Sequence, residues 1–189
     1  MHMSEITVRV LDEPDWPVYR TVRLSALEES PDSFTATLAE ETERDEQFWR
    51  DRMTRAHRLL AERDHLPLGV LSVGPNPDKP GTGEVFGLYV FPEARGTGVA
   101  WRLVEEAAAL AVQDGYHQLF YWVGVDNPRA IGFGQNFGFR VTGYRRQART
   151  TDLDLGDDEV AMVFSLMNDD SAVPNPNSGK PAPREGPLR

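Results

Sequence analysis

Cysteine is missing from all 189 residues, so the chain can form no disulfide, no thiolate metal site and no thiol nucleophile of its own. Histidine is sparse: His2, His57, His65 and His117 are scattered and fit no zinc-binding spacing, so no metal site is expected. Ser72 lacks the Gly-x-Ser-x-Gly frame of a serine hydrolase. No run of 18 apolar residues is present, and Met1-His2-Met3-Ser4-Glu5-Ile6 has neither the basic nor the apolar stretch of a secretory signal. Neither a membrane span nor a leader is expected, and a cytoplasmic location follows as an expectation. Positive charge is also short. With 20 Lys and Arg against 30 Asp and Glu, the formal net charge of -10 speaks against a nucleic-acid partner and is compatible with a cationic small molecule or simply a well-solvated surface.

What is present suits one globular domain, since 40% of residues are hydrophobic and 26% charged. Ile6 to Val10 alternates as a strand does, and a helical stretch runs on to about Glu28. From about Glu40 to Arg55, Phe48, Trp49 and Met53 stand among charged neighbours, which predicts one short amphipathic helix. Arg58–Glu62 and Leu66–Val73 predict a hairpin turning at 63–65. Glu84 to Phe91 is apolar on both alternating faces, the pattern of a central strand covered on both sides. Residues 98–113 carry a broad apolar face with an Asp114-Gly115 stop and form the clearest helix. A strand at 118–125, a helix from Asn127-Pro128 to Gly138, and strands at 139–149 and 160–167 complete the domain. That helix is intrinsically weak, because Gly132 and Gly134 each cost roughly 1 kcal/mol relative to Ala. The domain is therefore bounded at 1–167, and 168–189, rich in Pro with few apolar residues, is expected to be a disordered tail.

Between the central strand and the clearest helix lies Arg95-Gly96-Thr97-Gly98-Val99-Ala100. Strand, glycine turn and helix start make an anion site, because unpaired amides converge there, glycine permits close approach and the helix dipole favours negative charge. A dinucleotide fingerprint laid on Gly96 and Gly98 requires Gly or Ala at the position of Trp101, and no Gly-Lys-Ser/Thr closes a P-loop. Arg95, Gly98 and Ala100 instead match the Arg/Gln-x-x-Gly-x-Gly/Ala signature of the GNAT superfamily of N-acetyltransferases. Asn127-Pro-Arg-Ala130-Ile-Gly-Phe133, running on to Phe137-Gly138-Phe139, resembles that family's second motif in the right order.

The resemblance implies an α/β (α+β) fold with a mixed, mostly antiparallel sheet of about seven strands and helices on both faces. It also implies acetyl-CoA as co-substrate, with pyrophosphate on the turn of Arg95, Gly96, Thr97, Gly98, Val99 and Ala100 and the pantetheine arm along the backbone of Leu88, Tyr89 and Val90. By the same analogy Asn127 lies near the pantetheine, although a helix N-cap serves equally to explain it. The reaction implied is acetyl transfer to a primary amine of a small molecule or peptide by direct attack in a ternary complex, and a homodimer is in keeping with the family.

A lysine-like amine, with a pKa of about 10.4, must lose a proton before it attacks, and Glu84 at the entry to the central strand is the candidate base. The family's usual thiolate acid, a Tyr one residue after the aromatic matching Phe133, is replaced by Gly134. Tyr89, Tyr121 and Tyr144 are candidate substitutes. The resemblance also places Glu40, Glu41, Glu43, Asp45 and Glu46 in the helix region that forms an acceptor wall in similar proteins, and Asp152, Asp154, Asp157 and Asp158 crowd the last hairpin loop, surroundings that would suit a cationic amine. A non-catalytic CoA-binding module that has lost its general acid is the alternative.

Overall fold

The computed structural model of the chain describes residues 5–34, 36–147 and 158–167. The expected tail and the acidic residues Asp152, Asp154 and Asp157 lie outside the described residues.

Among the described residues seven strands form one sheet: β1 (Thr7–Leu11), β2 (His57–Arg63), β3 (Leu66–Pro75), β4 (Thr82–Val90), β5 (Gln118–Gly124), β6 (Arg140–Gln147) and β7 (Asp158–Ser165). Their order is β1-β2-β3-β4-β5-β7-β6. Every neighbouring pair is antiparallel except β4 and β5. The β2–β3 hairpin closes on Asp64 and His65, at φ 50° and 65°, the doubly left-handed conformation that matches the twist of flanking strands in a two-residue turn.

The described residues also form five α-helices over the sheet: α1 (Trp16–Glu29), α2 (Leu38–Thr42), α3 (Glu46–Arg55), α4 (Val99–Gln113) and α5 (Pro128–Phe137). The single helix expected over 40–55 is thus two. Thr37 and Glu40 form a capping box at the start of α2, and Asp45 accepts from the Phe48 amide to start α3, so the chain turns between two caps.

One face carries α1 and α3, whose Tyr19, Val22, Ala26, Trp49 and Met53 pack with Leu60, Val70 and Tyr89. Trp49 is fully buried, and its truncation to Ala would cost about 3–5 kcal/mol. The other face carries α4, which lays Val99, Leu103, Val104, Ala107 and Ala111 on Leu59, Leu71, Val73, Val85 and Leu119, with α5 packed beside it. The mixed, mostly antiparallel seven-stranded sheet expected from the sequence is what the structure shows.

The central strand is not covered along its whole length as its apolar run suggests. Val85 is buried, but Phe86 is 37% exposed and Leu88 is only partly buried. The parallel ladder with β5 covers just Thr82–Val85, and beyond it the two strands leave an opening.

Candidate functional site

A cleft of about 1200 Å³ occupies that opening. β4 itself bends there: Ser72 pairs with Phe86 and Val70 with Tyr89, so Gly87 and Leu88 together oppose the single residue Leu71. Gly87 sits at φ 64°, the left-handed conformation a bulge requires and glycine tolerates. On the side of β5, residues 86–90 have no strand partner among the described residues, so the peptide groups on that side face the cleft as an unpaired edge. Leu88, Tyr89 and Val90 all line it. Val90 keeps its backbone carbonyl occupied, accepting from Arg95 Nε at 3.0 Å.

The glycine turn closes one end. Gly96 and Gly98 have φ 76° and 90°, and a Cβ built at either would meet nothing within 4 Å, so these glycines answer a backbone demand and leave open space in front of the turn. Gly98 caps α4 without any side-chain hydrogen bond, and Arg102 donates back to the Gly98 carbonyl at 3.1 Å. The amides of Val99, Ala100 and Trp101 precede that first helical bond and have no carbonyl of the helix to meet.

Arg95, Gly96, Gly98, Val99 and Ala100 line the cleft. Thr97 does not: its hydroxyl donates to the Ala94 carbonyl at 2.6 Å and holds the turn's shape. The Val99 side chain is buried in the core, so only its backbone can serve a ligand. Arg95 is tied to Glu29 at 2.8 Å, and the Ser30 hydroxyl, followed by Arg95, holds the Glu29 carboxyl below its usual range. Asn127 lines the cleft and its Oδ1 accepts from the Ala130 amide at 3.1 Å, so the N-cap role is realised.

At the other end, Glu84 lies on the α1 side of β4 with its side chain 13% exposed and 3.8 Å from Arg146, which in turn donates to Glu159 at 2.6 Å. Arg146 stacks over Trp122 at 4.3 Å. The candidate phenols separate clearly. Tyr144 is 61% exposed and lies away from the cleft lining, whereas Tyr89 and Tyr121 both line it. Burial pushes the Tyr121 hydroxyl above its ordinary pKa, and burial with the nearby Glu29 charge pushes Tyr89 up to about 12. Both stay protonated at neutral pH.

Gly134 faces the core rather than the cleft. A Cβ there would stand 2.9 Å from Met162 Cε and Sδ, so the end of that thioether fills the space a side chain would need.

Of the acidic residues expected to form a wall, Glu40, Glu41, Asp45 and Glu46 are spent on structure. Glu40 belongs to the capping box, Asp45 caps α3, Glu46 pairs with Arg50, and Glu41 is buried between Arg23 and Arg52. None of them lines the cleft, nor does Glu43 or Asp158. The inner wall is instead cationic. Arg23 forks onto Glu41 at 3.0 and 3.1 Å, Arg52 reaches the same carboxylate at 2.7 Å, and Arg58 donates to Ser72 Oγ at 2.6 Å and to the Arg52 carbonyl at 3.1 and 2.8 Å. Sequence reasoning passed over these arginines. The available sign was Arg58 itself, a charge on the helix-covered face of an otherwise apolar strand.

The sequence profile of the Acetyltransferase (GNAT) family matches residues 23–139. No curated protein matches the chain. Among solved structures, an N-acetyltransferase from Staphylococcus aureus Mu50 superposes with a TM-score of 0.66 at 20% identity, covering 87% of this chain and all of that one. The yncA protein of Salmonella typhimurium, solved with its cofactor acetyl-CoA, gives 0.65 at 19% identity over 90% and 98% of the two chains. A ribosomal-protein-alanine N-acetyltransferase from Brucella melitensis gives 0.65 at 21% over 84% and 99%. These likenesses carry the fold. The profile, spanning well over half the chain and both motif regions, carries the membership: the protein belongs to the GNAT family of acetyltransferases.

Proposed function

We propose that the cleft binds acetyl-CoA and that the chain transfers the acetyl group to a primary amine by direct attack in a ternary complex. The observation that carries this reading is continuity. The unpaired edge of β4 over Leu88–Val90 leads directly into a turn whose two left-handed glycines leave open space before the free amides of α4. An extended arm ending in a pyrophosphate fits that sequence of donors and acceptors. Arg95–Ala100 form the cradle, with Thr97 shaping it, and Asn127, whose oxygen caps α5, has its amide nitrogen left over for the arm on this reading.

In the transfer the amine nitrogen bonds to the acetyl carbon as the carbon–sulfur bond breaks. Glu84 takes the proton from the amine, directly or through water, and Arg146 holds the carboxylate in place. Tyr121, kept neutral by burial, returns a proton to the departing thiolate, which with a pKa of about 8.5 needs little help. The acceptor is a small molecule or a peptide.

Titration calorimetry with acetyl-CoA and CoA, followed by a thiol-release assay over amines, amino acids and lysine peptides, tests the reading. Saturable binding of both with turnover of at least one acceptor is expected, and absence of acetyl-CoA binding would refute it. A second reading, a binding module without turnover, draws on Gly134, where Met162 occupies the space of the usual acid. Any catalysed thiol release above the uncatalysed rate removes it.

A further inference from the structure

We propose that the amine acceptor also carries a carboxylate, and that Arg58, backed by Arg52 and Arg23, binds it. The inference rests on reading the cleft as an acyl-transfer site and adds the class of acceptor, an amino-acid-like molecule.

The protein as a whole is acidic at -10, yet the inner wall of its cleft collects positive charge. Arg23, Arg52 and Arg58 all line the cleft, and the single carboxylate Glu41, which lies behind them, serves two of the three. Arg58 is 4% exposed and has no ion-pair partner among the described residues. Its guanidinium lies over the rings of Tyr19 and Phe86, at 5.1 and 5.3 Å. Three of its N–H groups reach the Arg52 carbonyl and Ser72 Oγ, and a guanidinium has five, so two remain for a ligand. Burial, with Arg52, Arg23 and Arg55 nearby, lowers its hold on its proton. A buried cation without a counter-ion is a costly arrangement that an anionic ligand relieves.

The placement relative to the proposed base is specific. Arg58 pairs with Ser72 and Ser72 with Phe86 across three adjacent strands, and Glu84 stands two residues from Phe86 on the same face of β4. Strand geometry puts the Cα atoms of Arg58 and Glu84 about 12 Å apart, a gap the two side chains narrow to the size of a small molecule. The other charged residues lining the cleft are Asp32, Arg95, Asp126 and Arg129, and the Arg146 pair with Glu84 and Glu159. The groove is therefore cationic at one end and carboxylate-bearing at the other, the complement of a molecule with an acid at one end and an amine at the other.

The test uses the full chain and matched trios of amino acid, amino acid amide and decarboxylated amine in the thiol-release assay. Calorimetry of N-acetyl amino acids against N-acetyl amides, in the presence of CoA, runs alongside. The carboxylated member should lead by about tenfold or more in kcat/KM, chiefly through KM, in line with a charge-assisted pair. Arg58→Gln should erase that lead while leaving the acetyl-CoA Kd within twofold, and Arg58→Lys should restore part of it. If Arg58→Gln does not fold, Ser72→Ala, which frees the guanidinium from one anchor, should still raise KM for the acid severalfold and leave the amide unchanged.

Equal use of all three members overturns the inference, as does an equal loss for acid and amide in Arg58→Gln, a shift confined to acetyl-CoA binding, or failure of every N-acetyl amino acid to bind at millimolar concentration to protein that binds acetyl-CoA. Protein that does not bind acetyl-CoA refutes the acyl-transfer reading instead, and this inference with it.

Discussion

Replacing Glu41 with Gln would strip the inner wall of the carboxylate that balances two arginines. Glu41 is 4% exposed and accepts from Arg23 at 3.0 and 3.1 Å and from Arg52 at 2.7 Å. The side chains of Arg23 and Arg52 are themselves only 11% and 18% exposed. The amide preserves the shape but not the charge, so two guanidinium groups already beside Arg58 would be left buried without a counter-charge. Breaking a buried ion pair by removing one partner costs about 3–5 kcal/mol. For a domain of this size that amounts to a fall in Tm of roughly 6–20 °C, at about 2–4 °C per kcal/mol.

The pH dependence has a definite sign. Burial alone would raise the Glu41 pKa, but Arg23 and Arg52 outweigh it and the folded value lies below the ordinary one. Its contribution is therefore complete above the unfolded carboxyl pKa of about 4.3 and is lost as pH falls through the lower folded value. Thermal and urea unfolding of wild type and Glu41→Gln at pH 7 and in a series below pH 5 reads both effects. A loss under 1 kcal/mol at pH 7, or a gap between the two proteins that widens in acid, would refute the account of a carboxylate holding the arginines in place.

Three further outcomes follow from the geometry. Gly98→Ala forces a Cβ onto φ 90°, which should cost about 1–2 kcal/mol by urea unfolding, and it places a methyl group in the open space before the turn, so acetyl-CoA Kd should rise at least tenfold by calorimetry. Glu84→Gln should lower kcat by roughly 10²–10⁴-fold at neutral pH with acetyl-CoA Kd unchanged, and an unchanged kcat would clear Glu84 of the base role. Tyr121→Phe should slow turnover more with acetyl-CoA than with an acyl donor whose thiol is more acidic; equal slowing with both would deny it proton transfer.

Much of the fold was legible because its elements obey simple periods. The broad face of residues 98–113 places Leu103, Ala107 and Ala111 in the core as the helical repeat requires, and the turn at 63–65 falls where the apolar strands stop. The glycine turn was legible too, since a left-handed backbone leaves a mark in the residue type at Gly96 and Gly98. The split between α2 and α3 was written in Thr37-Leu-Ala-Glu40 and in Asp45, but an unbroken charged stretch masks two short caps. The opening of the sheet had one sign, the lone Gly87 within an apolar strand, which marks a bulge without saying what lies beyond it.

The arginine wall left no pattern along the chain. Arg23, Glu41, Arg52 and Arg58 come from α1, α2, α3 and β2, and only packing makes them neighbours. The same packing explains why the acidic residues at 40–46 do not face the cleft: charge in a sequence reads as surface, while here Glu41 is buried as a counter-ion and Glu40 and Asp45 fasten helix ends.

The short ladder between β4 and β5 has a mechanical meaning as well. Among the described residues the strand ladder between a four-stranded leaf, β1 to β4, and a three-stranded leaf, β5 to β7, has only four rungs, Thr82–Gln118 to Val85–Tyr121, and they lie at one end of the seam like the uncut part of a page torn from the opposite edge. On the proposed reading, the pantetheine arm is laid along the tear as temporary stitching. Cofactor occupancy would then be felt as stiffness across the whole sheet, with slower amide exchange in both leaves and not only at the residues the cofactor touches.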